Sequence, residues 1–131
     1  LFIAALLLGA GHACAVDIEE HCVKVATENA LQNKLATDKY CAFTGDITRE
    51  EALRQKIGSG YDLVVANIVA DVILAMSPFF KGFLKENGRL LISGIINDRK
   101  EEVMAAIEKA GFKVTESKEA GDWNAMLFEL I

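Results

Sequence analysis

Four polar positions in this chain stand at the ends of apolar runs, and their chemistry suits a nucleoside and an amine. Asp17 lies near the end of the run from His12 to Ile18 and precedes an amphipathic stretch. A carboxylate at a strand end can accept hydrogen bonds from both hydroxyls of a ribose. Its plainer role is a helix N-cap, and the two are compatible. Asp46 follows the run Tyr40–Thr44 through Gly45. It can accept from the exocyclic amine of adenine while the backbone of Ile47 meets the ring edge, or it can serve only as a turn residue. Asn67 comes directly after Asp62-Leu63-Val64-Val65-Ala66, where a buried amide must find partners. With nearby carbonyls, its oxygen can hold an amine's hydrogens and fix the line along which the lone pair attacks. The alternative is a strand-end Asn that satisfies a loop. Ser93-Gly94 ends the fourth run.

Ligands of an open parallel sheet bind beyond the carboxyl ends of its strands, so these residues matter together only if the runs are parallel strands joined by helices. The pattern predicts a helix over residues 1–8 closed by Gly9-Ala10-Gly11, a strand over 12–18, and a helix over 20–33 with Val23, Ala26, Ala30 and Leu31 on its inner stripe. A strand over 40–44, a short polar helix over 49–56 and a strand over 61–66 follow. Asp71 is expected to cap a helix reaching about residue 85, with Ile73, Met76, Phe80, Phe83 and Leu84 inward and a kink or break at Pro78. Asn87-Gly88 reads as a turn before a strand over 89–93. Asp98 and Glu101 resemble a capping box for a helix ending at Gly111. Strands over 112–117 and 123–129 have no helix between them and therefore read as an antiparallel pair. The whole predicts one α/β domain whose mostly parallel sheet is covered on both faces.

The glycines do not supply a nucleotide cradle. Gly9-Ala10-Gly11 and Gly58-Ser59-Gly60 each precede a strand, the reverse of the strand–loop–helix order such a cradle needs. That loop is expected upstream of Leu1.

At 131 residues the chain suffices for one domain. Its 52% hydrophobic and 25% charged content is that of a globular rather than a disordered chain. With 19 acidic against 14 basic residues, direct, salt-driven binding to nucleic acid is not expected. Cys14, Cys22 and Cys41 show no CxxC spacing, and with His12 and His21 they offer metal-ligand chemistry only on paper. Cys14 and Cys41 fall in apolar runs, where burial as small hydrophobes is expected, and no metal is. Free thiols suit a reducing, cytoplasmic setting. The opening apolar run could pass for a signal-peptide core, but no basic segment precedes it and cleavage after Ala15 would cut a strand. It is also too short to span a membrane.

Several segments resemble the PrmA-type ribosomal-protein methyltransferases. They are Val16-Asp17-Ile18-Glu19, Ala26-Thr27-Glu28-Asn29-Ala30 with Asn33, and above all Tyr61-Asp62-Leu63-Val64-Val65-Ala66-Asn67-Ile68-Val69-Ala70-Asp71. Gly88-Arg89-Leu90-Leu91-Ile92-Ser93-Gly94-Ile95, Ala110-Gly111-Phe112 and Gly121-Asp122-Trp123 extend the likeness over nearly the whole chain. The resemblance implies a Rossmann-like class I methyltransferase fold using S-adenosyl-L-methionine to methylate amino groups of a large-subunit ribosomal protein. It implies that Asp17 and Ile18 meet the ribose side of the cofactor, that Asp46 and Ile47 flank adenine, and that Asn67 contacts both cofactor and target amine as the catalytic position. Glu20-His21 stands where proline is commoner in the family, and Glu86-Asn87-Gly88 replaces a Pro-Gly-Gly turn. The glycine-rich loop and a substrate-gripping amino-terminal domain are expected outside residues 1–131. The segment is thus expected to be the carboxyl-terminal portion of a methyltransferase domain, inactive by itself.

Two rival classes share much of this pattern. A methyltransferase of the same fold acting on a nucleic-acid base or small amine differs in its substrate domain. A non-catalytic nucleotide-binding module would ignore the cofactor. A nicotinamide-dependent dehydrogenase also uses an acid at the position of Asp17, but gives no reason for Asn67 or for the terminal antiparallel pair.

Overall fold

The computed structural model describes residues 6–131. The first five residues of the helix expected over 1–8 lie outside them. Leu6 and Leu7 are helical, and the amide of Gly9 bonds the Leu6 carbonyl at 3.2 Å, which closes the turn as expected. The chain divides into two compact units, the first ending at Ile57 and the second running from Gly58 to Ile131.

In the first unit β1 (Ala13–Asp17) pairs in parallel with β2 (Tyr40–Thr44), in register from Ala13↔Tyr40 to Asp17↔Thr44. Parallel neighbours need a crossover, supplied by α1 (Glu20–Gln32) and a 3₁₀ turn, Thr37–Lys39. Ala30 of α1 is buried, with Val23 and Ala26 half-buried. Leu31 is exposed, contrary to the expected stripe; it stands about 100° round the helix from Ala30 and so leaves the inner face. A short helix, α2 (Glu51–Ile57), buries Leu53. Cys14 and Cys41 stand opposite one another across β1 and β2, not joined by a disulfide and only half-buried rather than buried as expected.

The second unit holds a four-stranded sheet in the order β3-β4-β6-β5, made of β3 (Tyr61–Asn67), β4 (Leu84–Ile96), β5 (Phe112–Ala120) and β6 (Trp123–Leu130). β3 and β4 run parallel; β6 runs antiparallel to both β4 and β5. The antiparallel end of the sheet is thus as expected. Helices α3 (Ala70–Met76), α4 (Phe80–Phe83) and α5 (Lys100–Lys109) share one core with the strands. Ile73, Phe80, Leu90, Ile92, Ile107 and Phe128 are fully buried there, each contributing about 1.5–3 kcal/mol through removal of apolar surface from water. Leu63 and Val65 of β3 remain 48% and 40% exposed, so within this unit β3 is not covered on both faces.

Three local expectations are corrected. Asp71 does not cap α3: the N-cap is Val69, and Asp71 in the first turn accepts a 2.7 Å bond from Arg99, which also binds Glu102. Asp98 and Glu101 form no capping box, because Asn97–Arg99 winds as a 3₁₀ turn and Arg99 occupies the N-cap of α5. Asn87-Gly88 turns inside β4 rather than before it. Tyr61 pairs with Leu84 and Leu63 with Arg89, so Lys85–Gly88 are looped out between two paired positions. Asn87 takes a φ of +62° there, and a β-carbon on Gly88 would come within 2.9 Å of the Lys85 carbonyl oxygen. The break expected at Pro78 does occur, between α3 and α4.

Among the described residues no helix is long and apolar enough to cross a membrane, and no group of three or more His, Cys, Asp or Glu could hold a metal ion.

Candidate functional site

Parallel pairing carries Asp17 and Asp46 to neighbouring strand tips of the first unit. Asp17 is the last residue of β1, and its carbonyl accepts a 2.9 Å bond from the amide of Gly45, which precedes Asp46. The Asp17 side chain is exposed, and its Oδ1 accepts from the amide of Glu19 at 2.9 Å. This is a tight Asx turn at the strand exit. The N-cap of α1 is Glu19, so Asp17 shapes the entry to the helix without capping it. Ile18 lies beside it, an apolar side chain left 69% exposed.

The turn role considered for Asp46 is realised. Its Oδ1 accepts from both the amide and the hydroxyl of Thr48, at 2.9 and 2.5 Å, while Oδ2 lies 3.7 Å from the Arg49 guanidinium. The hydroxyl and amide of Thr48, then the nearby Arg49 charge, hold the Asp46 carboxyl below its ordinary pKa. The charged form is therefore the resting one, and it is directed partly into its own turn. The carbonyl of Ile47 accepts from Arg54, so the backbone after Asp46 is fixed from α2. Cys22, one turn into α1, has its pKa raised by partial desolvation and by the charges of Asp17 and Glu19, which disfavours a reactive thiolate.

Asn67 belongs to the second unit. It ends β3 opposite Ser93 of β4, and its side chain is exposed rather than buried as expected. The next residue along β4, Gly94, is an extra residue: Ser93 pairs with Ala125 and Ile95 with Asn124, leaving Gly94 as a bulge with φ +79°. A β-carbon on Gly94 would stand 2.7 Å from the Asn67 side-chain oxygen. The left-handed backbone favours glycine here, and any side chain would also displace the exposed Asn67 amide that lies against it. Asn67 and Ser93-Gly94, named separately from the sequence, are thus brought together.

One polar residue near this edge escaped the sequence reading. Asn124 is 2% exposed. Its Nδ2 donates to the Ile95 carbonyl at 3.2 Å and to the Asn97 side-chain oxygen at 2.7 Å, while its own Oδ1 has no partner. The signal was present: Asn124, Met126, Phe128 and Leu130 alternate along β6 on its buried face, and a polar residue on an otherwise apolar stripe invites a question.

An open groove of the second unit lies elsewhere. It has a volume of about 580 Å³, with Leu63, Leu91 and Leu127 on its floor and Asp62, Lys85 and Lys118 among its charged lining. It lies toward the amino ends of β3 and β4 and contains neither Asn67 nor Gly94.

A family profile described as ribosomal protein L11 methyltransferase (PrmA) matches residues 1–130. The chain is 40% identical over 94% of its length to the ribosomal protein L11 methyltransferase of Agathobacter rectalis, and 42% identical over 99% to that of Pelotomaculum thermopropionicum. It spans 38% and 40% of those proteins' lengths. A crystal structure of ribosomal protein L11 methylase from Lactobacillus delbrueckii subsp. bulgaricus superposes with a TM-score of 0.86 at 26% identity, covering 98% of this chain and 63% of that one. The α/β architecture with its mixed sheet is therefore the Rossmann-like class I methyltransferase fold, and the chain belongs to the ribosomal protein L11 methyltransferase family.

Proposed function

We propose that the whole protein transfers the methyl group of S-adenosylmethionine to amino groups of ribosomal protein L11, and that this chain supplies residues facing the cofactor and the amine. The cofactor's sulfonium would supply the reactive methyl; the protein's part is orientation and electrostatics. Asp17 takes the ribose hydroxyls, a role its exposed strand-tip carboxylate suits, with the exposed Ile18 covering the sugar's apolar edge. Asp46 and Ile47 flank the adenine. Asn67 holds the hydrogens of the incoming amine so that its lone pair lies along the methyl's axis. The observation that carries this reading is the Asn67 side chain set against Gly94 at the end of β3, in a chain of the L11 methyltransferase family.

Because the chain spans about two-fifths of its relatives' length, the 131 residues alone are expected to transfer no methyl group. The acidic balance favours a protein partner over direct contact with nucleic acid, in a cytoplasmic setting away from membranes. The test is incorporation of labelled methyl from S-adenosylmethionine into purified, unmethylated L11 by the whole protein. Label on L11 amino groups is expected; none, with both proteins folded, overturns the proposal.

A further inference from the structure

Within the second unit, β4 leaves the sheet through a fixed sequence of contacts. Ser93 is paired, Gly94 bulges out beneath the Asn67 amide, and Ile95 pairs again opposite Asn124. The peptide that follows the bulge is held by the buried Asn124, whose Nδ2 reaches both the Ile95 carbonyl and the Asn97 side chain. Asn97 is itself anchored to the β5–β6 turn, its amide bonding the Asp122 carbonyl at 3.0 Å and its Nδ2 the Gly121 carbonyl at 3.3 Å. The residues that follow the bulge are thus tied both to β6 and to the β5–β6 turn.

A hydrophobic residue at the Asn124 position on the stripe of Met126, Phe128 and Leu130 would remove the unpaired Oδ1 but leave the Ile95 carbonyl and the Asn97 side-chain oxygen without the Nδ2 donor. What asparagine supplies there is the hold of its Nδ2 on those two acceptors. We infer that Asn124 is a positioning residue: by pinning Ile95 and Asn97 it fixes the Gly94 bulge, and through the bulge it sets the Asn67 side chain. The role in transfer rests on the proposed function; the structural coupling from Asn124 to Asn67 does not.

Two measurements on the whole protein test it. The first is nuclear magnetic resonance of the Asn67 side-chain amide in Asn124→Val and in the milder surface variant Asn97→Ala. Its signal is expected to move in both, more in Asn124→Val. A signal unmoved in both variants overturns the inference whatever the activity. The second is a double-mutant cycle on methyl transfer to L11. Asn124→Val is expected to lower kcat by between about 10- and 100-fold while the KM for L11 changes little, because displacement of an orienting group costs rate before binding. Asn97→Ala, which removes one of the two Asn124 bonds together with the exposed bond to the Gly121 carbonyl, is expected to cost about threefold. In an Asn67→Ala background both substitutions are expected to have no further effect; additive losses there would show a general structural role and overturn the inference. Absence of transfer by the unsubstituted protein would count against the proposed function, and the Asn67 signal would then decide the coupling by itself.

Discussion

The side-chain oxygen of Asn67 lies 2.7 Å from the point a β-carbon on Gly94 would occupy, so a side chain at position 94 must displace the Asn67 amide. Gly94→Ala combines a left-handed φ of +79° with that contact. It is expected to destabilise the protein by about 1–3 kcal/mol and to displace the Asn67 amide. Urea unfolding with a methyl-transfer assay checks both, and a variant as stable and active as the parent would show that the approach imposes nothing.

Asp17 offers the simplest test of cofactor binding. Asp17→Ala is expected to weaken S-adenosylmethionine binding by roughly 10- to 100-fold, the worth of hydrogen bonds to a charged acceptor. Asp17→Asn retains an oxygen for the bond from the Glu19 amide and is expected to fall between Ala and the parent. Isothermal calorimetry on the whole protein measures all three. Equal affinities would remove the ribose role.

The Asp46 carboxyl is held below 3.8, first by the Thr48 hydroxyl. A lowered native pKa means that this group's contribution to stability is complete above the unfolded value and fades as pH falls from there through the native one. Titration of the Asp46 carboxyl carbon by nuclear magnetic resonance is expected to give a midpoint under 3.8. In Thr48→Val the midpoint is expected to rise toward that value, because the side-chain donor is gone. No rise would mean that the backbone amide and Arg49 carry the shift.

Core and surface apolar positions separate cleanly. Phe128→Ala, at a fully buried site, is expected to cost about 3–5 kcal/mol. Leu31→Ala, at a site 58% exposed, is expected to stay within about 0.5 kcal/mol. Denaturant unfolding distinguishes them, and a large loss at Leu31 would place that side chain against a partner surface.

Much of this was legible because strands and helices impose different periods. The run around Leu63–Ala66, the break at Pro78 and the helix-free connection before Trp123 marked β3, the two-helix segment and the antiparallel pair. What was lost depended on contacts between distant residues. Arg99 draws Asp71 into an ion pair 28 positions away in sequence, so no local capping rule identifies its role. The looped-out Lys85–Gly88 and the bulge at Gly94 arise from register against β3 and β6, which composition does not encode. That Asp17 and Asn67 end strands was legible from the apolar runs before them; that Asp46 spends Oδ1 on its own turn and that Asn124 is buried behind the bulge required the packing.

Asn67 is the residue proposed to orient the amine. The direct measurement is single-turnover transfer of labelled methyl to L11 by the whole protein and by its Asn67→Ala variant, both saturated with S-adenosylmethionine so that any loss of cofactor affinity is set aside. Loss of an orienting group predicts a rate about 100-fold lower; transfer at the parental rate would contradict it.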